Sequence, residues 1–507
     1  MFCQILSTTL QGISSEPVTI ELDISSGMPV FVMVGSVSVK VRESQDRVRT
    51  ALRNLGINLP PKRITLNLSP GDLKKDGTGF DLPIAAALLT ALEKIPQNAL
   101  SNCLVLGELH LNGDIEGIPG VLPSIITARK LGIHTCIIPF DNAAEAASID
   151  DVTIVGLKNL SELIDYCNNP LSSKYIYKPN PLVYLPQKYP DFSDIKGQES
   201  VKKAALIAAA GFHNILLSGP PGSGKSMTAK RIPSILPDLT RNEQIEVSQI
   251  YSVAGLLSSD QPLISCRPFR SPHHSLSVQA LCGGGRIPSP GEITLAHRGV
   301  LFIDELPEMP GRTLDQLRAP MEDHTILISR SSGSFRFPAN FLFVAAMNPC
   351  PCGFYPDLNK CTCTQHDIHS YRSRISQPIL DRIDLRVDVP AASYIDLTSS
   401  KQDPLDSATM KKEVSKAFQI QQERYKNEST CFNSELSPAD ISRFCICSPE
   451  AESLLKKAFS SMNLSARSYH RILKIARTIA DLDQSEKIHE SHISEAFFFR
   501  NSSISSR

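Results

Sequence analysis

The stretch Gly219-Pro220-Pro221-Gly222-Ser223-Gly224-Lys225-Ser226 fits the pattern G-x-x-x-x-G-K-[ST]. Glycines at these steps let backbone N–H groups turn inward around a phosphate, and a helix starting at the lysine adds partial positive charge. Lys225 would reach the β- and γ-phosphates of ATP, and the Ser226 hydroxyl would ligate Mg2+. Farther along, an apolar run at 300–303 ends in Asp304-Glu305. Asp304 is the candidate for holding Mg2+, directly or through water, and Glu305 the candidate for orienting and polarising the attacking water. A third apolar run, 341–346, ends at Met347-Asn348. Its amide can hydrogen-bond the γ-phosphate or the water. Three strand ends converging on one face predict hydrolysis, not nucleotide binding alone.

Directly after Asn348, Cys350, Cys352, Cys361 and Cys363 form C-x-C-x8-C-x-C. Four thiolates in so short a stretch can hold a tetrahedral Zn2+ and staple a loop that has no core of its own. The role would be structural, because four protein ligands leave no open position; His366 and His369 are alternative ligands. Between the phosphate loop and Asp304 lie about 80 residues, more than one helix and strand require. This insertion carries Arg267, Arg270, His273, His274, Arg286, His297 and Arg298 around Gly283-Gly284-Gly285, with Glu292 its one acid from 267 to 298. A glycine-hinged basic loop can contact DNA phosphates without reading sequence. Residues 328–336 predict a β-hairpin with Arg330 and Arg336 near its turn, a second candidate for DNA.

These groups must be positioned by the elements around them. The apolar run 215–217 before the phosphate loop predicts a buried strand, and 227–232 a helix. From 191 to about 390 strands alternate with helices, the pattern of a parallel-sheet α/β domain. The first 170 or so residues read as mixed α and β. Strands are expected at 18–22 and 30–34, a strand pair at 103–106 and 110–111, and a strand at 135–139; helices are expected at 41–55, 81–92 and 122–131. Residues 172–190 carry Pro179, Pro181, Pro186 and Pro190 with little apolar period, as a linker does. Beyond 391 strands stop, and Ser437-Pro438, Ser448-Pro449 and Ser465 predict N-caps of successive helices in a bundle. The expected domains are therefore 1–171, a linker 172–190, 191–392 and 393–507.

Composition agrees with several domains: 507 residues, 41% hydrophobic and 21% charged, exceed one ordinary core. Lys+Arg and Asp+Glu number 52 each, which excludes adhesion to nucleic acid or acidic membranes through bulk charge, though not through a local patch. No apolar run approaches the ~20 residues of a membrane span, and the start lacks the basic and apolar regions of a secretory signal. Thirteen cysteines, scattered except for the one cluster, fit a reducing cytoplasm better than a disulfide framework.

The set 219–226, Asp304-Glu305 and Asn348 resembles an AAA+ ATPase. Asp194-Ile195-Lys196-Gly197-Gln198, Phe269-Arg270-Ser271-Pro272-His273-His274, the run 299–305, Asn348-Pro349-Cys350-Pro351-Cys352-Gly353 and Leu380-Asp381-Arg382-Ile383-Asp384-Leu385 resemble the magnesium-chelatase-like group. The resemblance runs nearly end to end and is to the competence-associated ComM/YifB family. It implies that Arg382 is an arginine finger offered to a neighbour's ATP, with Arg374 a second candidate. It also implies that Arg467, in Leu464-Ser465-Ala466-Arg467, is the lid arginine that senses the γ-phosphate. A finger acting in trans requires a ring, and the family implies homohexamers. Family members are ATP-driven DNA motors linked to branch migration of recombination intermediates during natural transformation, so branched or single-stranded DNA is the expected partner. The rivals are a magnesium-chelatase-type subunit and an ATP-driven assembly factor without DNA translocation.

Residues 75–81 and 107–120 resemble the protease domain of Lon, which has a ribosomal S5-like α+β fold. Where that pattern carries its nucleophilic serine and catalytic lysine, this chain has Gly79 and Pro123. Neither can attack a carbonyl or accept a proton, so a catalytically dead scaffold is expected.

Overall fold

The computed structural model describes residues 2–169, 173–178, 189–258, 260–285, 288–330, 333–391, 405–426, 428, 430–461 and 464–500. Arg286 and most of the expected linker lie outside the described residues.

Strict alternation builds the first sheet. In the strand Ser14–Ser25, Val18, Ile20, Leu22 and Ile24 are buried while the intervening side chains are only half-buried, so one face takes the core. The seven-stranded sheet has the order Val30–Val34, Arg63–Ser69, Ser14–Ser25, Phe2–Gln11, Cys103–Val105, Thr135–Pro139, Thr153–Leu157. The helix Asp81–Ala91, buried at every position, packs on it beside Val39–Asn54, whose N-cap Ser38 accepts from Val41 N. The strand pair expected at 103–106 and 110–111 does not form. Cys103–Val105 joins the large sheet instead, and Glu108–Leu109 pairs with Ile115–Glu116. Gly79 is packed so closely that a Cβ there would meet Ile118 at 2.8 Å. Pro123 sits buried in the helix Val121–Lys130, its carbonyl accepting from Ser15 Oγ. That helix lies on Arg241–Val253 of the next domain, joined by Gly120 N to Ser252 O (2.9 Å) and Arg241 Nη2 to Ser148 O (2.6 Å).

The runs Ile215–Ser218, Val300–Ile303 and Leu342–Met347 are buried at every position, as parallel strands covered on both faces must be. The sheet order is Phe269–Arg270, Val300–Ile303, Leu342–Met347, Ile215–Ser218, Leu385–Asp388, all parallel. The C-terminal ends of the strands carrying the chemistry therefore open on one edge. Ser437 and Ser465 cap the helices Pro438–Phe444 and Ala466–Leu482, and Ser448 Oγ accepts from Ala451 N. These C-terminal helices pack on one another, Ala466–Leu482 against Glu490–Arg500 and Ser407–Arg424, and their core is continuous with that of the five-stranded sheet. Met410, Val414, Ile472, Ile475 and Ile479 share one apolar cluster with Ile207, Leu217 and Ile232 of the five-stranded sheet and its helices.

A buried polar knot closes that junction. Asp384 accepts from Arg471 Nη1 (2.7 Å) and Asn214 N (3.2 Å), and His213 Nδ1 lies 3.4 Å away. Arg500, on the last helix, donates to Ile383 O. Burial alone would raise the Asp384 pKa, but Arg471, His213 and Arg500 hold it well below the usual carboxylate range. A depressed carboxyl stabilises the fold above its unfolded pKa of about 4 and loses that contribution as pH falls. Asp384→Ala, which leaves cations buried without their partner, is expected to cost about 3–5 kcal/mol in denaturant unfolding. The part of acid sensitivity carried by this group should be missing from the variant's stability-versus-pH profile.

Candidate nucleotide site

Gly224 is the N-cap of the helix Lys225–Ile235 at φ +92, a left-handed conformation that only glycine adopts cheaply. The helix therefore starts at Lys225, with its N–H groups aimed into the cradle. Lys225 Nζ donates to Gly219 O (2.7 Å), Pro220 O (2.8 Å) and Asn348 Oδ1 (3.2 Å). Burial lowers the Lys225 pKa, and the carboxylates of Asp304 and Glu305 oppose that shift. Ser226 Oγ donates to Asp304 Oδ2 (2.7 Å), so the two expected Mg2+ ligands already touch. No side chain of the described residues would meet a Cβ built at Gly222 or Gly224, so the cradle is open on its phosphate side. Its hydroxyl, carboxylate and ammonium suit ATP with Mg2+, which would be held by Ser226 and Asp304 and would neutralise phosphate charge.

Glu305 follows at φ +52, and its N–H donates to Asp304 Oδ1 (2.9 Å). Its carboxylate meets His274, with Nδ1 3.4 Å from Glu305 Oε2. His274, expected at DNA, thus faces the candidate hydrolytic acid, and His273 lies tilted against it with ring centroids 4.1 Å apart. Gln198, to which its motif gave no role, donates from Nε2 to Ser223 O (2.9 Å) and Pro390 O (3.1 Å), tying the phosphate loop to the sheet edge.

The two arginines lie elsewhere. Arg382 O accepts from Asn214 Nδ2 (3.0 Å), and Asn214 precedes the strand whose far end leads into the phosphate loop. Four strand residues, ~13 Å, separate those ends. Arg382 donates to one oxygen of Glu322, and Arg467 Nη2 to the other (2.7 Å). Both flank a cleft of about 470 Å³ also lined by His470, Arg471 and Lys474. Glu322, which holds the pair, had no signal in the sequence, because nothing local links residue 322 to 382 or 467. Arg374 instead pairs with Glu308 (2.9 Å).

Most of the basic insertion is internally answered, which corrects the expectation of a free DNA loop. Arg267 is 4% exposed and donates to the carbonyls of Pro237 and Arg298. Arg270 makes a bidentate pair with Glu292 (2.7 and 2.7 Å), the acid that looked like an exception. His297 and Arg298 both meet Glu246, at 3.0 and 3.1 Å. The hairpin does form, Thr325–Arg330 against Gly333–Pro338, with Arg330 opposite Gly333 and Arg336 three pairs back from the tip. Arg330 and Arg336 are exposed and have no carboxylate partner among the described residues. A Cβ on Gly284 would lie 3.2 Å from Arg330 Nη2, so the glycine segment and the hairpin form one surface. The sulfurs of Cys350, Cys352, Cys361 and Cys363 all lie within 4.8 Å of one another, a group that could hold a metal ion; His366 and His369 are outside it. Among the described residues, no helix is long and apolar enough to cross a membrane.

Comparison with known proteins agrees with this arrangement. Residues 191–397 match "Magnesium chelatase, subunit ChlI", 20–142 match "Subunit ChlI of Mg-chelatase", and 405–500 match "Magnesium chelatase, subunit ChlI C-terminal". The chain is 41% identical to the competence protein ComM of Haemophilus influenzae over 502 residues, covering 98% of this chain and 97% of ComM. It is 42% identical to YifB of Escherichia coli over 491 residues, covering 96% and 95%. Over 140 residues it is 33% identical to Lon protease 2 of Bacillus subtilis, covering 26% of this chain and 25% of that protease. With the strand-end cradle of an AAA+ ATPase and a relative matched from end to end, the chain belongs to the magnesium-chelatase-like ComM/YifB family.

Proposed function

We propose that this protein forms a hexameric ring in which ATP hydrolysis moves DNA, as a branch-migration helicase acting on recombination intermediates during natural transformation in the cytoplasm. The observation that supports the ring is that Arg382 and Arg467 share Glu322, with the Arg382 backbone a strand's length from the phosphate loop. They serve a neighbouring copy's ATP, where two guanidinium groups stabilise charge on the transferred phosphoryl group. Within each copy, Lys225 holds the phosphates, Asn348 and Glu305 orient the attacking water, and Glu305 accepts its proton. The four cysteines hold a structural Zn2+. DNA runs over the surface made by the glycine segment and the hairpin, where Arg330 and Arg336 contact phosphates without reading bases. The competence role printed for the Haemophilus relative supports that substrate.

The test is steady-state ATPase with and without branched DNA, on protein whose oligomeric state is measured alongside. Branched DNA is expected to raise turnover severalfold and to be displaced in an ATP-dependent manner; indifference to DNA would leave a chelatase-type subunit instead. In Arg330→Ala/Arg336→Ala, DNA affinity is expected to fall and its dependence on log salt to flatten by about one to two units. DNA-free ATPase should persist.

A further inference from the structure

Four thiolates about 2.3 Å from a tetrahedral Zn2+ place their sulfurs about 3.8 Å apart. The Sγ–Sγ distances here are 3.4 Å for Cys350–Cys352, 3.8 Å for Cys350–Cys361 and 3.6 Å for Cys352–Cys361. All four are free thiols, and these separations are far too long for S–S bonds. The vertices of a metal site are therefore preformed. The loop between them has no apolar core to replace a metal: Phe354 and Leu358 are exposed, and between 351 and 364 Gly353 alone is buried.

This knuckle touches the nucleotide site twice. Asn348, which accepts from Lys225 Nζ, is two residues before Cys350. Gly353, at φ +87, lies flat on the phosphate loop; a Cβ there would come 2.5 Å from Pro221 Cδ. From the other side Arg372 donates to Pro349 O (3.1 Å) and covers the Tyr355 ring at 5.4 Å. The knuckle is thus clamped between the phosphate loop and the helix Gln365–Ser373.

We propose that Cys350, Cys352, Cys361 and Cys363 bind one Zn2+ and that the closed knuckle is a positioning device for ATP hydrolysis, fixing Asn348 beside Lys225 and seating Gly353 on Pro221. It rests on the zinc and ATPase readings above and adds that the metal controls turnover. Loss of the metal frees the loop on both sides of the cradle, and a misplacement of about 1 Å at Asn348 costs on the order of a hundredfold in rate.

The experiment uses the full-length protein. Elemental analysis is expected to find one zinc per chain, and Co2+ exchange to give thiolate charge-transfer absorption. Cys361→Ser and Cys363→Ser should lose the metal and drop kcat by about tenfold to a hundredfold, while binding of a fluorescent ATP analogue changes less than about threefold. Restoring Zn2+ to chelator-stripped wild type should restore kcat. Gly353→Ala keeps all four thiolates, so it should retain one zinc yet lose kcat. It also decides the matter if the serine variants misfold. Wild type without zinc or cobalt absorption overturns the metal site. Zinc-free variants, or Gly353→Ala, hydrolysing at the wild-type rate overturn the positioning role. Zinc-replete wild type that splits no ATP would instead overturn the ATPase reading.

Discussion

Arg382→Ala is expected to keep ATP binding and lose turnover by about 10³-fold, the range measured when an arginine finger is withdrawn. The geometry gives the reason. Arg382 sits at the start of the sheet, ~13 Å of strand from the phosphate loop, so its removal leaves its own cradle untouched. Mixing Arg382→Ala with Glu305→Gln subunits should then recover part of the activity, because some interfaces pair an intact Glu305 with an intact Arg382. Phosphate release from mixtures of defined ratio reads this directly; activity that stays at the sum of the two inactive parents would remove the trans assignment. Wild-type specific activity should also rise with protein concentration as rings form. Arg467→Ala, sharing Glu322, should fail in the same trans fashion.

Lys225→Ala is expected to lower hydrolysis by about 10²–10³-fold, the cost of losing a preorganised charge at a developing anion. Its effect on the fold should be small by comparison. The ammonium's partners are two loop carbonyls and Asn348 Oδ1 at an open edge, which water can reach once the side chain is gone. A fluorescent nucleotide titration should show weakened binding, and circular dichroism an unchanged helix signal. Wild-type turnover in this variant would mean that the cradle is not the hydrolytic site.

What could be read from the chain alone followed the range of the forces involved. The phosphate loop, its strand and its helix were legible because glycine conformation, proline and apolar runs act within ten residues, and Thr135–Pro139 was legible by the same local pattern. The strand Phe2–Gln11 was not, because Ser7, Thr8 and Thr9 are buried and break the apolar alternation that marks a half-buried strand. Charge balance failed for a different reason. Arg267 is satisfied by backbone carbonyls, which every residue has and no sequence advertises, and Arg298 by Glu246, about 50 residues away. Arg330 and Arg336 stay exposed on their hairpin, where no carboxylate of the described residues meets them. The cysteine cluster was legible since its ligands are close in sequence; its seat on Pro221 was not, since it joins segments more than 130 residues apart.

The apolar cluster from Ile207 through Leu217 to Ile479 joins the five-stranded sheet to the C-terminal helices, beside the polar cleft where Arg382 and Arg467 meet Glu322. Opening the two parts like a jaw would strip that hydrocarbon of its cover. In the proposed ring, motion that keeps this hydrocarbon covered would fall at the joints between neighbouring subunits, where Glu322 would surrender its two guanidinium partners.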